Sequence, residues 1–97
     1  MRLYNRSTLR AFWEQHSTAE EPLRRWYKDV KNAAWKGPAD IKNSYSSASF
    51  IGSDRVVFNI GGNSYRLICR IDYRNQVVQV RFLGTHAAYN QVDAATV

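Results

Sequence analysis

The sequence predicts an α+β fold, with two N-terminal helices packed on one face of a small antiparallel sheet and a short helical segment at the C-terminus. Three observations carry this expectation. Apolar residues recur at helical spacing through the first half of the chain. From Asp54 onward the period switches to two. Gly, Asn and Asp residues punctuate that second half at hairpin intervals. With 97 residues the chain has material for one core and none to spare for a separate cofactor domain, so residues 1–97 are read as one domain.

Leu3 to Asn5 is expected as a short edge strand. Ser7 offers a hydroxyl N-cap to a first helix over Thr8–His16, whose Leu9, Phe12, Trp13 and His16 fall at helical spacing. Ser17-Thr18-Ala19-Glu20 has the form of a capping box ahead of a second helix. On that helix Ala19, Leu23, Trp26 and Val30 share one face, Pro22 lies near the start, and Arg24, Arg25, Lys28 and Lys31 share much of the outer face. Ala33-Ala34-Trp35 ends it and Gly37-Pro38 breaks the chain. Ala39–Ser44 has room for one more helical turn. Tyr45–Ser53, rich in Ser and Gly, reads as a loop anchored by Phe50 and Ile51.

Three strands follow. Arg55–Ile60 leads through the turn Gly61-Gly62-Asn63 into Tyr65–Asp72. Tyr73-Arg74-Asn75 turns the chain into Gln76–Leu83, which Gly84 is expected to end. Thr85–Val97 is a helical or irregular tail. Alternation puts Val56, Phe58, Ile60, Tyr65, Leu67, Cys69, Ile71, Val78, Val80 and Phe82 on one face, where the helices belong. The other face collects Arg55, Arg66, Arg70 and Arg81 with Asn59 and Gln79.

Fourteen Lys and Arg against eight Asp and Glu give a formal charge of +6. A small basic domain attracts polyanions, because phosphates neutralised by protein release their counterions. An ordinary solvated sheet face is also commonly polar, so the charge alone does not decide between solubility and binding. Cys69 is the only cysteine and lies in an apolar alternating stretch, which excludes an internal disulfide and a multi-cysteine metal site. It is expected to be a buried thiol. Together with a start that lacks a signal peptide's apolar run, this points to the cytoplasm, with no membrane role.

Gly84-Thr85-His86-Ala87-Ala88-Tyr89 follows directly on the third strand. His86 is expected where that strand ends, beside the arginine face, with Tyr89 on the same side of a helical segment. Cleavage of RNA by its own 2′-hydroxyl needs a base, an acid for the 5′-oxygen, and cations for the charge on phosphorus. Imidazole exchanges protons near neutral pH, and guanidinium forks match phosphate oxygens. This nominates His86, Arg66, Arg70 and Tyr89 as catalytic residues, and Arg55, Arg81, Asn59 and Gln79 as RNA-binding ones. No HExxH, paired CxxC, paired carboxylates or nucleotide-binding glycine loop is present, so neither metal nor organic cofactor is expected.

Several strings resemble the HigB family of toxins within the RelE-like superfamily: Leu23-Arg24-Arg25-Trp26-Tyr27-Lys28, Trp35-Lys36-Gly37-Pro38-Ala39-Asp40-Ile41-Lys42, Arg55-Val56-Val57-Phe58-Asn59-Ile60, Tyr65-Arg66-Leu67, and Arg81 through Tyr89. They cover nearly the whole chain in order. The resemblance implies a RelE-like fold and an mRNA interferase that cuts ribosome-bound message without a cofactor. It also implies a cognate, HigA-like helix-turn-helix antitoxin, expected to cover the arginine face or lock the His86 segment. By position, Arg66 matches the superfamily's strand arginine. His86 falls where the RelE branch carries a basic residue after the last strand, and Tyr89 is similar in type to that branch's C-terminal tyrosine, at a shorter offset. The family commonly carries an acidic residue at the positions of Ala88 and Asn90, and here both are neutral. Two other classes stay open: a fold relative that poisons a protein target, and an RNA-binding module without catalysis. A pure binder has no need of the His86–Arg66–Tyr89 set. A stacking platform calls for exposed strand aromatics, whereas alternation turns Tyr65 inward.

Overall fold

The computed structural model describes residues 1–97. Its elements, in chain order, are β1 (Arg2–Tyr4), α1 (Ser7–Gln15), a 3₁₀ turn (Ser17–Ala19), α2 (Glu20–Asn32), α3 (Pro38–Ser44), β2 (Ser49–Ile51), β3 (Arg55–Ile60), β4 (Tyr65–Asp72), β5 (Val77–Thr85) and α4 (His86–Tyr89). The class is α+β. One five-stranded sheet runs β1-β5-β4-β3-β2. The meander of β2 to β5 is antiparallel, and β1 joins its outer edge parallel to β5, so the sheet is mixed. No helix is long and apolar enough to cross a membrane.

The main core lies between the sheet and the helices. Leu9, Ala19, Leu23, Trp26 and Val30 meet Val56, Phe58, Leu67, Cys69, Ile71, Val78 and Val80. Phe58 is its centre: fully buried, it takes Trp26 and Tyr45 edge-on and stacks with Trp35. Aromatic pairs of this kind add to the gain from area burial alone. Cys69 is buried within the core, and burial pushes its thiol well above the usual range, which keeps it unreactive.

Both expected N-caps are absent, for a common reason. Asn5 takes a left-handed φ of 67° and turns the chain straight into helical geometry, so Arg6 is the capping residue and Ser7 is already helical. At α2 the 3₁₀ turn delivers a helical backbone to Ala19, and Ser17 caps nothing. Glu20 becomes the first residue of the helix and pairs forward with Arg24 at 2.8 Å. A capping serine needs extended backbone, and packing of Ala19 into the core denies it. The expected loop at Tyr45–Ser53 contains β2. Three extended residues flanked by Ser and Gly carry no periodic signal, and pairing with β3 is what makes them a strand.

The larger correction concerns β5. Gly84 does not end it; the strand runs on to Thr85. Ile68 pairs with Phe82 and Cys69 with Val80, leaving Arg81 as an extra residue, a β-bulge. Beyond a bulge the alternation inverts. Leu83, not Phe82, packs toward the main core, and Phe82 crosses to the other face. There a second apolar cluster forms, with Val57, Ile68 and Ala94 buried and Ile51, Phe82, Tyr89, Val92 and Val97 packed around them. The C-terminal tail therefore covers part of the face expected to be polar.

Two stability predictions follow from this packing. Phe58→Ala empties the centre of the core and should cost about 3–5 kcal/mol, read by chemical denaturation. Gly84 lies under the Phe82 ring, and a Cβ there would come within 2.6 Å of the ring and 3.3 Å of Ala88. Gly84→Ala should cost about 1–3 kcal/mol in the same assay, whereas Gly37→Ala, which meets nothing, should leave the melt unchanged.

Candidate active site

The site grows from the end of β5. Thr85 is extended and caps α4: its Oγ1 accepts a hydrogen bond from the Ala88 N–H at 3.1 Å. This places His86 as the first residue of α4, exposed, with Tyr89 one turn on and half-buried against the second cluster. On the neighbouring strand Arg66 pairs with Gly84 on one side and Asn59 on the other. Gly84 has no side chain, and the Phe82 ring of β5 and Ala88 of α4 close on the space beside it. The Arg66 guanidinium lies over the Tyr89 ring, 5.8 Å from its centre, and Nη1 donates to the Asn63 carbonyl at 3.2 Å. A planar cation over a ring face is held in orientation while its remaining N–H groups stay free.

His86 has one side-chain neighbour within hydrogen-bonding reach. Asn90 Nδ2 lies 3.5 Å from its Nδ1. Sequence reasoning noted Asn90 only as a missing acid; in the fold it is a polar group one turn below the imidazole. The spacing of four residues on a helical segment was the available signal. Gly84 was likewise missed as a site residue. A glycine inside a strand pattern marks a close approach, which here is that of Phe82 and Ala88.

The remaining arginines do not join this group. Arg70 is four residues from Arg66 on the same strand, about 13 Å along it. It donates from Nε to Asp54 Oδ2 at 2.9 Å. Arg55, paired with Arg70 across the strands, binds the other oxygen of Asp54 at 3.0 Å. Its side chain is only 13% exposed, and Nη2 donates to the Val97 carbonyl at 3.2 Å. Arg81, carried outward by the bulge, donates to the same carbonyl and to Gln79. Arg55, Arg70, Arg81 and Gln79 thus form a second group, tied together by one carboxylate and the tail. Asn59 is half-buried beside Arg66 and belongs with the first group.

Arg66 and Tyr89 meet at this end of the sheet, with His86 exposed three residues before Tyr89 at the start of α4. A search of curated proteins finds no match to this chain. A family model matches residues 19–92 of the 97, from the start of α2 through the site and into the tail: HigB_toxin, the RelE-like toxic component of a toxin–antitoxin system. The chain belongs to that family of toxins.

Proposed function

We infer that this toxin is an mRNA interferase, an endoribonuclease that acts in the cytoplasm on ribosome-bound message and so stops translation. The observation that carries the reading is the seating of Arg66 over Tyr89, three residues along the chain from the exposed His86 that opens α4. Family membership adds a cognate antitoxin as partner; its HigA-like, helix-turn-helix nature is part of the proposal.

The chemistry assigned to these residues balances without a further reactant. The 2′-oxygen of the message bonds to phosphorus as its proton leaves. The bond from phosphorus to the 5′-oxygen breaks, and that oxygen takes a proton. The products are a 2′,3′-cyclic phosphate and a 5′-hydroxyl. His86 is the main proton-transfer residue. Asn90 stands where the family commonly has an acid but acts in the opposite sense: as donor to Nδ1 it favours the neutral tautomer with the proton on Nε2, whereas a carboxylate would accept from Nδ1. Arg66 stabilises the charge that develops on the phosphoryl oxygens, an electrostatic effect that is large where the donor is already oriented. Tyr89 holds Arg66 by its ring and orients the substrate by its hydroxyl. Arg70, with Arg55, Arg81 and Gln79 around it, contacts flanking phosphates rather than the scissile one, and Asn59 contacts RNA beside Arg66.

Removal of a positioned acid or base costs about 10²–10⁴ in rate, so His86→Gln should slow cleavage by that factor while the protein still melts cooperatively and binds its antitoxin. Mapping of cut sites on ribosome-bound message by primer extension is the measurement. Cutting at the wild-type rate would remove His86 from the chemistry. Tyr89→Phe keeps the ring beneath Arg66 and should cost no more than about tenfold, the worth of one hydrogen bond. Tyr89→Ala removes both and should approach the loss seen on removing Arg66. Equal, large losses for Phe and Ala would instead make the hydroxyl a direct participant.

A further inference from the structure

On the opposite layer of the molecule, where α1 meets α2, the structure holds a second basic surface that the proposed chemistry does not use. Arg6, Arg10 and Arg24 line a groove of about 600 Å³ together with Trp13 and Tyr27. A second groove of about 300 Å³ adjoins it, shares Arg6 and Tyr27, and adds Arg2, Tyr4 and Lys31. No carboxylate lines either one.

The guanidiniums are arranged around aromatic faces. Arg24 lies 4.7 Å from the centre of the Trp13 ring. Tyr27 is flanked by Arg6 and Lys31, and Arg6 Nη1 donates to its hydroxyl at 2.7 Å. The Arg6 hydrogen bond, with the charges of Arg6 and Lys31, holds the Tyr27 hydroxyl below its ordinary range. Glu14 and Glu20 pair with Arg10 and Arg24 from outside the groove, at 3.7 and 2.8 Å. Both pairs are solvent-exposed, and exposed pairs exchange for another anion at little cost.

The fold aims this surface. Asn5, with its positive φ, donates to the Val80 carbonyl at 3.1 Å and pins the β1–α1 junction to β5. The track from Arg2 through Arg6 therefore runs along the sheet edge formed by β1 and β5, and β5 is the strand that ends in His86. Cations repeated along two joined grooves, with ring faces between them, fit a polymer of phosphates and bases better than a single small anion. An acidic protein segment matches the charge but has no use for the ring faces that guanidiniums keep oriented.

We propose that the α1–α2 groove, through Arg6, Arg10 and Arg24 with Trp13 and Tyr27, is a second RNA-binding site that grips the phosphodiester backbone of RNA at a distance from the His86 end. It rests on the reading of the toxin as one that acts on RNA. The probe is a short fluorescein-labelled 2′-O-methyl RNA, which cannot be cut at its 2′-oxygen, titrated by anisotropy at several salt concentrations. With three backbone contacts removed, the triple variant R6Q/R10Q/R24Q should bind more weakly, and its slope of log affinity against log salt should fall by about 2, at roughly 0.7 per phosphate for single strands. The triple R6K/R10K/R24K keeps the charge and should restore most of that slope, which separates loss of contact from misfolding. Unchanged affinity and slope in the Gln triple would overturn the proposal. Retained RNA binding with lost neutralisation by the co-expressed cognate antitoxin would also overturn it, assigning the groove to an acidic protein segment. Cleavage of ribosome-bound message, followed in parallel, keeps the two readings apart. If the wild type cuts nothing while the Gln triple loses RNA binding, the groove stands and the interferase reading falls. If the wild type cuts and the Gln triple binds RNA and cuts equally well, the groove falls and the interferase reading stands.

Discussion

The extra residue in β5, Arg81 opposite the step from Ile68 to Cys69, is the constraint on which the site end of the molecule depends. Without it, strict alternation would direct Phe82 into the helix-covered core and Leu83 outward. With it, Phe82 lies on the far face beside Ile68 and Val57, and that face gains an apolar centre. The tail has something to pack on, so Val92, Ala94 and Val97 fold back across the sheet, with Ala94 only 7% exposed. Gly84 must then be glycine, because the Phe82 ring occupies the space a side chain would fill. The missing side chain lets Phe82 and Ala88 of α4 both close on Gly84. One inserted residue thus fixes the position of the tail and the identity of Gly84.

Electrostatics on that face are resolved by division. Four arginines on one sheet face repel unless counter-charges or dipoles intervene. Asp54 answers two of them at once, binding Arg55 with one oxygen and Arg70 with the other. The Val97 carbonyl accepts from Arg55 and Arg81. Arg66 meets no side-chain carboxylate, and neither does Arg81; the partners of Arg66 are two backbone carbonyls and an aromatic face. Of the two, Arg66 is the one held against α4, the helix that begins with His86. A buried or half-buried pair such as Arg55 with Asp54 stabilises the fold only while both partners remain, which makes that group structural first.

The two basic surfaces lie on different layers and are joined through β5. One belongs to the tail side of the sheet, built on β4, β5 and α4. The other belongs to the helix side, built on β1, α1 and α2. Their common edge is the parallel pair β1 and β5, short on the β1 side and pinned by the side chain of Asn5. Edge strands invite unwanted pairing. Here the edge carries Arg2 and the exposed Tyr4, and leads into Arg6, so charge guards it as well as extending the groove.

Local chemistry was legible in the residues themselves. The spacing of Leu23, Trp26 and Val30 determined the buried face of α2, and all three are fully buried. Gly61 and Gly62 both take positive φ in the turn where their composition placed them. Alternation determined which side of β3 and β4 each residue occupies, because a slip of one residue would have exposed the whole apolar set. The order Gly84-Thr85-His86 put an imidazole just past the end of a strand. What the tertiary structure alone decided is everything that depends on the partner of a residue rather than on its neighbours in the chain. The bulge at Arg81 exists only in the pairing of β5 with β4. The strand at Ser49–Ile51 exists only against β3. The two lost caps were overruled by a left-handed Asn5 and a buried Ala19. The separation of Arg66 from the Asp54-bound arginines, and the joining of Arg6 from the β1–α1 junction to Arg24 and Tyr27 of α2, follow from contacts between segments distant in sequence. Such contacts are set by the packing of the whole chain, and no local periodicity encodes them.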